Sequence, residues 1–160
     1  MAKEAKTNAM RMLERAKVNY KALTYPTDDG GIDGISIATK MGEPFELVYK
    51  TLVTKGHSGN HFVFVVPVAK ELDLKKAAKA VGEKNVEMIP VADLLKTTGY
   101  IRGGCSPVGM KKQFVTVIDA SAETLSEMYV SGGRIGLQIC ANPKELANAV
   151  GAKFEFITHE

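Results

Sequence analysis

The residues of this sequence best equipped for chemistry are two cysteines, three histidines, one lysine at the head of an apolar stretch, and two glycine-rich turns. Cys105 with His57 or His61 would form a nucleophile and its base, provided the side chains reach hydrogen-bonding distance and the thiolate is populated. The spacing does not require that proximity, and a free cysteine among glycines also serves as a small packing residue. Cys105, Cys140, His57, His61 and His159 contain zinc-type donors. His57 and His61 flank a turn, but no third ligand follows at a recognisable spacing, so no metal is expected, nor any other cofactor. Gly103-Gly104-Cys105-Ser106-Pro107 is neither a Walker A loop nor a dinucleotide fingerprint. Such loops lead directly into a helix, which Pro107 and Gly109 argue against. Without Cβ atoms, the Gly103 and Gly104 amides can approach a ligand as an anion or carbonyl cradle. The same pair also reads as a plain tight turn, and Ser131-Gly132-Gly133 has the same two readings. Lys50 reads as a surface residue unless these turns lie beside it.

The elements that must position these residues follow from periodicity and punctuation. Thr7 is placed to cap a helix over 8–17, in which Ala9, Leu13 and Ala16 recur at helical spacing. Residues 20–25 read as a strand ended by Pro26, 27–34 as an Asp- and Gly-rich loop, and 36–41 as a short helix stopped by Gly42. Glu43-Pro44 opens a helical turn through about Tyr49. Residues 50–55 and 61–66 form a hairpin across the turn 56–60. The second strand is apolar on both faces, with Phe62, Phe64 and Val66 opposite Val63 and Val65, so it belongs at the centre of a sheet. Leu74, Ala77, Ala78 and Val81 mark an amphipathic helix ended by Gly82. A strand over 86–89, a helix over 91–96 and strands over 114–118, 127–130 and 135–139 follow. Asn142-Pro143-Lys144-Glu145 resembles a capping box with proline at the first helical position. That helix ends at Gly151, before a last strand over 154–157. Strands outnumber helices and several are joined by short turns, which favours a mixed α/β domain with a mainly antiparallel sheet over a doubly wound one.

Composition narrows the class. At 160 residues, with 45% hydrophobic and 24% charged residues, the chain fits one globular domain, 1–160, able to bury a core without disulfide or metal staples. The net charge of +3 permits contact with phosphates but does not by itself mark a nucleic-acid-binding domain. The lysines cluster at Lys70, Lys75, Lys76 and Lys79, with a second pair at Lys111-Lys112; a solvated helix face accounts equally for the first group. The N-terminal segment is charged and amphipathic rather than signal-like, and no apolar run reaches membrane-spanning length. A reducing, cytoplasmic setting is the expectation, with no membrane contact.

In order along the chain, Val48-Tyr49-Lys50-Thr51-Leu52-Val53, Leu72-Asp73-Leu74-Lys75-Lys76-Ala77-Ala78-Lys79-Ala80, Val86-Glu87-Met88, Thr98-Gly99-Tyr100-Ile101-Arg102-Gly103-Gly104-Cys105-Ser106-Pro107-Val108-Gly109 and Tyr129-Val130-Ser131-Gly132-Gly133 closely resemble the YbaK/EbsC family. These are the cysteinyl-tRNA(Pro) deacylases, free-standing relatives of the editing domain inserted in bacterial prolyl-tRNA synthetases. The resemblance spans about Thr7 to Ile157. It implies a mixed α/β fold with a mainly antiparallel, barrel-like sheet flanked by helices. It also implies removal of a wrongly attached amino acid from tRNA, with the mischarged acceptor end as partner and prolyl-tRNA synthetase as a second one. Lys50 then matches the family's essential lysine and Thr51 its neighbour. Tyr25 matches the tyrosine ending the first strand, Tyr100 the pocket wall, Gly103 the backbone donor with Gly104 beside it, and Ser131 the serine of the second turn. In the mechanism this implies, the substrate's own thiol attacks its ester carbonyl, and the basic clusters touch tRNA phosphates.

Two positions depart from the pattern. Gln138 stands where cysteine-specific members carry an acidic residue, and an aromatic expected near Asp33 is missing from the loop 27–35. Three readings therefore stand beside one another: a deacylase for cysteine or, with water as nucleophile, for alanine or serine; a non-catalytic module for an aminoacyl or nucleotide ligand; and a cysteine hydrolase using Cys105.

Overall fold

The computed structural model of the protein describes residues 6–159. Its helices are α1 (Asn8–Arg15), α2 (Gly34–Met41), α3 (Leu74–Val81), α4 (Val91–Thr98) and α5 (Pro143–Val150). Its strands are β1 (Tyr20–Thr24), β2 (Tyr49–Gly56), β3 (His61–Pro67), β4 (Val86–Met88), β5 (Val115–Asp119), β6 (Met128–Ser131), β7 (Leu137–Ala141) and β8 (Lys153–Glu155). They form a three-stranded sheet in the order β1-β7-β6 and a five-stranded sheet in the order β4-β2-β3-β5-β8. The pairings β1–β7, β6–β7, β2–β3 and β2–β4 are antiparallel; β3–β5 and β5–β8 are parallel. The mixed, mainly antiparallel architecture agrees with the sequence. The barrel-like closure does not. The two sheets meet through one parallel bridge, Val48 with Tyr129, and a single pair cannot continue a ladder around a barrel.

β3 sits at the centre, as its doubly apolar pattern requires. Phe62, Phe64 and Val66 pack with Ala77 and Ala78 of α3, while Val65 faces a core shared with α1, α5 and the three-stranded sheet. Each such fully buried side chain contributes about 1.5–3 kcal/mol of transfer free energy. The helix ends are chemically fixed. Thr7 Oγ1 accepts the Met10 N–H, and Asn142 Oδ1 accepts those of Lys144 and Glu145 ahead of Pro143. Gly82 and Gly151 close α3 and α5 in the left-handed region, at φ 71° and 67°.

Most element boundaries shift by one or two residues from the sequence reading, and four of the shifts have a clear local cause. α2 begins at Gly34 because Asp33 caps it, its Oδ1 accepting the Ser36 N–H. The helical turn after Pro44 covers only Phe45–Leu47, and Tyr49 already belongs to β2. β7 starts at Leu137, since Gly136, at φ 93°, still forms the turn. β8 ends at Glu155 because the Ile157 N–H donates to Asp119 Oδ1 instead of extending the ladder. No helix among the described residues is long and apolar enough to cross a membrane.

Candidate functional site

A pocket of about 110 Å³ opens at the seam between the two sheets. β4 pairs only with residues 54–56 of β2, so the β2 edge stays open at its beginning. There three consecutive residues, Tyr49, Lys50 and Thr51, reach the pocket. Opposite them the three-stranded sheet supplies Ser131 and Gln138, direct register partners that therefore share a face. The glycine-rich loop contributes Gly103 and Cys105, and the segment entering α2 contributes Ile32, Gly34 and Ile37. Of the predicted site residues, Lys50, Thr51, Gly103, Ser131 and Gln138 are thus brought together. Tyr25, Tyr100 and Gly104 lie outside this lining.

The pocket's electrostatics are simple. Lys50 is the one charged side chain in the lining. Its Nζ lies 3.7 Å from Glu71 Oε1, a carboxylate 82% exposed, so the pair is loose and screened by water. Two other lining residues carry buried oxygens without a hydrogen-bond partner, Thr51 Oγ1 and Gln138 Oε1. An unpaired buried polar atom costs about 1–3 kcal/mol. Two of them beside one ammonium make an environment that a polar ligand completes. The Tyr25 hydroxyl is a third such atom, close by in the fold: Tyr25 follows β1, whose Leu23 is the register partner of Gln138.

The loop carrying Gly103 is held from inside. The Tyr100 hydroxyl donates to Val108 O at 2.7 Å, and burial, with a smaller contribution from Cys105, pushes its pKa up to about 12, so it remains a donor. Ser106 Oγ accepts the Val108 N–H. Gly104 is explained by packing: a Cβ there would lie 2.9 Å from the backbone of Arg134 and Ile135, and its own N–H donates to Ile101 O. Gly103 has φ 85°, and a Cβ there would press on Ile32 at 3.0 Å. The second glycine-rich turn is packed similarly, Gly133 against the Tyr100 ring and Thr7, and Thr7 Oγ1 donates to Gly132 O at 2.6 Å.

Burial pushes the Cys105 thiol up to about 11, only partly offset by a hydrogen bond with Thr98. At neutral pH it is a thiol, without the thiolate character a nucleophile needs. The histidines are engaged elsewhere. The His61 ring lies against Phe114 with centroids 5.5 Å apart, the His57 side chain lies near the Glu83 carboxylate, and His159 sits beside Asp73. Among the described residues no group of three or more His, Cys, Asp or Glu side chains could hold a metal ion.

Sequence reasoning missed the wall formed by Ile32, Gly34, Ile37 and Val68, and the residue that holds it. Lys40 Nζ donates to Pro26 O at 2.9 Å, to Gly31 O at 3.0 Å and to Asp29 Oδ1 at 2.5 Å. It thereby ties the loop 26–31 to α2. The Asp33-x-x-Ser36 cap was the readable signal for where α2 starts; the three-way grip of Lys40 has no local signature.

The sequence from 35 to 149 matches the model of the aminoacyl-tRNA editing domain. The chain belongs to that family. A relative from Enterococcus faecalis, named "Putative Cys-tRNA(Pro)/Cys-tRNA(Cys) deacylase EbsC", is 45% identical over 97% of this chain and 94% of its own. A proline–tRNA ligase from Fervidobacterium nodosum is 32% identical over 75 residues, 47% of this chain and 13% of the ligase. A crystal structure described as "a putative trans-editing enzyme for prolyl tRNA synthetase" superposes with a TM-score of 0.83 at 25% identity, covering 98% of this chain and 100% of that one. The editing domain acts on mischarged tRNA, as a trans-editing aminoacyl-tRNA deacylase of the YbaK/EbsC type. The matched region contains Lys50, Thr51, Gly103, Ser131 and Gln138, whereas Tyr25 and Ile32 precede it.

Proposed function

We propose that this editing domain releases cysteine wrongly attached to tRNA(Pro), with the substrate's own thiol as nucleophile. The observation that carries the reading is the pairing of one loosely held ammonium, Lys50, with two buried, unpartnered oxygens on Thr51 and Gln138. The oxygens are acceptors for the α-ammonium of an aminoacyl group, and Lys50 is a donor for its carbonyl or for the ribose of the terminal adenosine. Because Gly104 spends its amide on Ile101, the backbone-donor role falls to Gly103. The substrate sulfur attacks the ester carbonyl carbon, the bond from that carbon to the ribose oxygen breaks, and the oxygen leaves as a hydroxyl with the proton the thiol gave up. The cysteine leaves as a thiolactone, which water opens. The protein supplies no nucleophile, in keeping with the raised Cys105 thiol. Its contribution is to hold sulfur and carbonyl together, which removes much of the entropic barrier, and to place positive charge where the oxyanion develops. The name of the E. faecalis relative supports the choice of amino acid and tRNA. The ligase match supports a prolyl-tRNA synthetase as the partner that hands over substrate, and an editing step of translation belongs in the cytoplasm.

Gln138 favours a second reading. With a neutral amide where cysteine-specific members carry an acid, the pocket would take alanine or serine, with water as nucleophile. Incubation with Cys-, Ala- and Pro-tRNA(Pro), following ester loss, decides. Faster loss from Cys-tRNA(Pro) supports the thiol mechanism, and faster loss from Ala-tRNA(Pro) replaces it with water attack. No loss from any of the three would leave a non-catalytic binding module. Lys50→Ala should lower the rate by about a hundredfold; full activity in that variant would sink the site assignment.

A further inference from the structure

β3, β5 and β8 run parallel, and their C-terminal ends stand side by side. In sheets of parallel strands, ligands bind outside those ends. Here the edge carries Pro67, Ser121 and Phe156, which with Lys70 and Lys76 line a shallow depression. Lys76 and Phe156 also line a second one, completed by Lys79 and Lys153. Phe156 is 74% exposed, the most exposed large hydrophobic side chain among the described residues. An aromatic face is thus held in water among four ammonium groups.

The carboxylates of the groove are largely committed. Asp119 is buried and accepts the N–H groups of Ser121 and Ile157. Asp73 accepts those of Lys75 and Lys76 and faces His159 at 3.4 Å. Glu155 is the exposed acid in the lining, and Glu71 sits by Lys50. Lys76 Nζ donates to the neutral carbonyl of Thr158 and, among the described residues, pairs with no carboxylate there. The groove also adjoins the pocket. Tyr49 lines the pocket while its hydroxyl is hydrogen-bonded to Ser121 Oγ in the groove at 2.8 Å. Pro67 of the groove directly precedes Val68 of the pocket wall.

We propose that this groove holds the single-stranded 3′ end of the tRNA. One base stacks on Phe156, and the neighbouring phosphates pair with Lys70, Lys76, Lys79 and Lys153 while the terminal adenosine enters the pocket. Aromatic stacking interleaved with cations is how single-stranded nucleic acid is held without sequence readout. The proposal rests on the deacylase reading only for what occupies the pocket.

The test uses the whole chain and an uncharged, fluorescein-labelled RNA hairpin ending in a single-stranded ACCA, read by anisotropy at increasing potassium chloride. A blunt hairpin serves as the comparison. Phe156→Ala should weaken binding to the ACCA hairpin about tenfold and leave the blunt one unchanged, and Phe156→Trp should restore it. Lys70→Ala/Lys153→Ala should flatten the slope of log affinity against log salt by about 1.4, while Lys21→Ala/Lys144→Ala, on β1 and α5 and in the lining of neither depression, should not. Equal losses on both hairpins, or Phe156 and Lys70/Lys153 variants within twofold of the parent with the parent slope, would overturn the assignment. Because the RNA carries no ester, a protein that binds it through Phe156 yet hydrolyses no aminoacyl-tRNA keeps the groove and loses only the activity.

Discussion

Thr51→Val separates what the site does for function from what it costs the fold. The Thr51 hydroxyl is buried at the pocket wall with no partner. Valine keeps the β-branched shape that suits β2 and removes the orphaned oxygen. The penalty relieved is about 1–3 kcal/mol, from which the imperfect fit of a methyl must be subtracted, leaving a gain of about 1 kcal/mol. For a chain of this size that raises the midpoint of thermal unfolding by about 2–4 °C. Deacylation should move the other way. If the hydroxyl accepts from the substrate's ammonium, a charge-assisted hydrogen bond of about 1.5–3 kcal/mol is lost, which lowers kcat/KM about 10- to 150-fold. Thr51→Ser keeps the oxygen and gives up a methyl, at a cost of about 0.8 kcal/mol, and should retain most activity. Circular dichroism melts and ester-loss kinetics on the same preparations give both numbers. A valine variant that melts lower than the parent, or that turns over at the parent rate, refutes the claim that this oxygen waits for a ligand.

Three further outcomes follow from the geometry. Gly104→Ala places a Cβ 2.9 Å from the Arg134 and Ile135 backbone and should cost about 1–3 kcal/mol in chemical denaturation, whatever happens to catalysis. Cys105→Ser should stay active. Because the folded thiol titrates near 11 and an unfolded one lower, Cys105 contributes stability that is complete below the unfolded value and is lost as pH rises through about 11, so unfolding between pH 9 and 11 should be less pH-dependent in the serine variant. Lys40→Met leaves three oxygens without their donor and should raise KM severalfold with less effect on kcat; a change in kcat alone would show that the loop 26–31 does not shape the pocket.

Elements were legible where local chemistry determines them. The Thr7 cap, the left-handed glycines after α3 and α5, and the doubly apolar β3 all follow from near neighbours in sequence. The sheet's architecture was only half legible. The β2–β3 hairpin is adjacent in sequence, but nothing local announces that β3 runs parallel to β5, or that β1 pairs with β7. Lys50, Thr51, Gly103, Ser131 and Gln138 were reached by resemblance, and the pocket gathers all five. Gly104 stood beside them for its type, yet its missing Cβ serves the Arg134–Ile135 crossing. The hydrophobic wall from α2 was invisible because any apolar side chain there would look the same in sequence.

The register of the three-stranded sheet sets a timetable for the nascent chain. Tyr20 pairs with Ala141, and Gln138 lies on that late-arriving strand. Contacts this remote in sequence form slowly, because the intervening loop must close before they are rewarded. Lys50 and Thr51 leave the ribosome earlier, on a strand whose hairpin partner follows directly in sequence. The opposing wall follows only with β7, which begins 86 residues after Thr51. Until then the apolar strands of the first half lack their cover, so the interval before β7 arrives is when chaperones have most to protect. Substitutions that slow the docking of β7 should lower the yield of soluble protein before they change its catalytic constants.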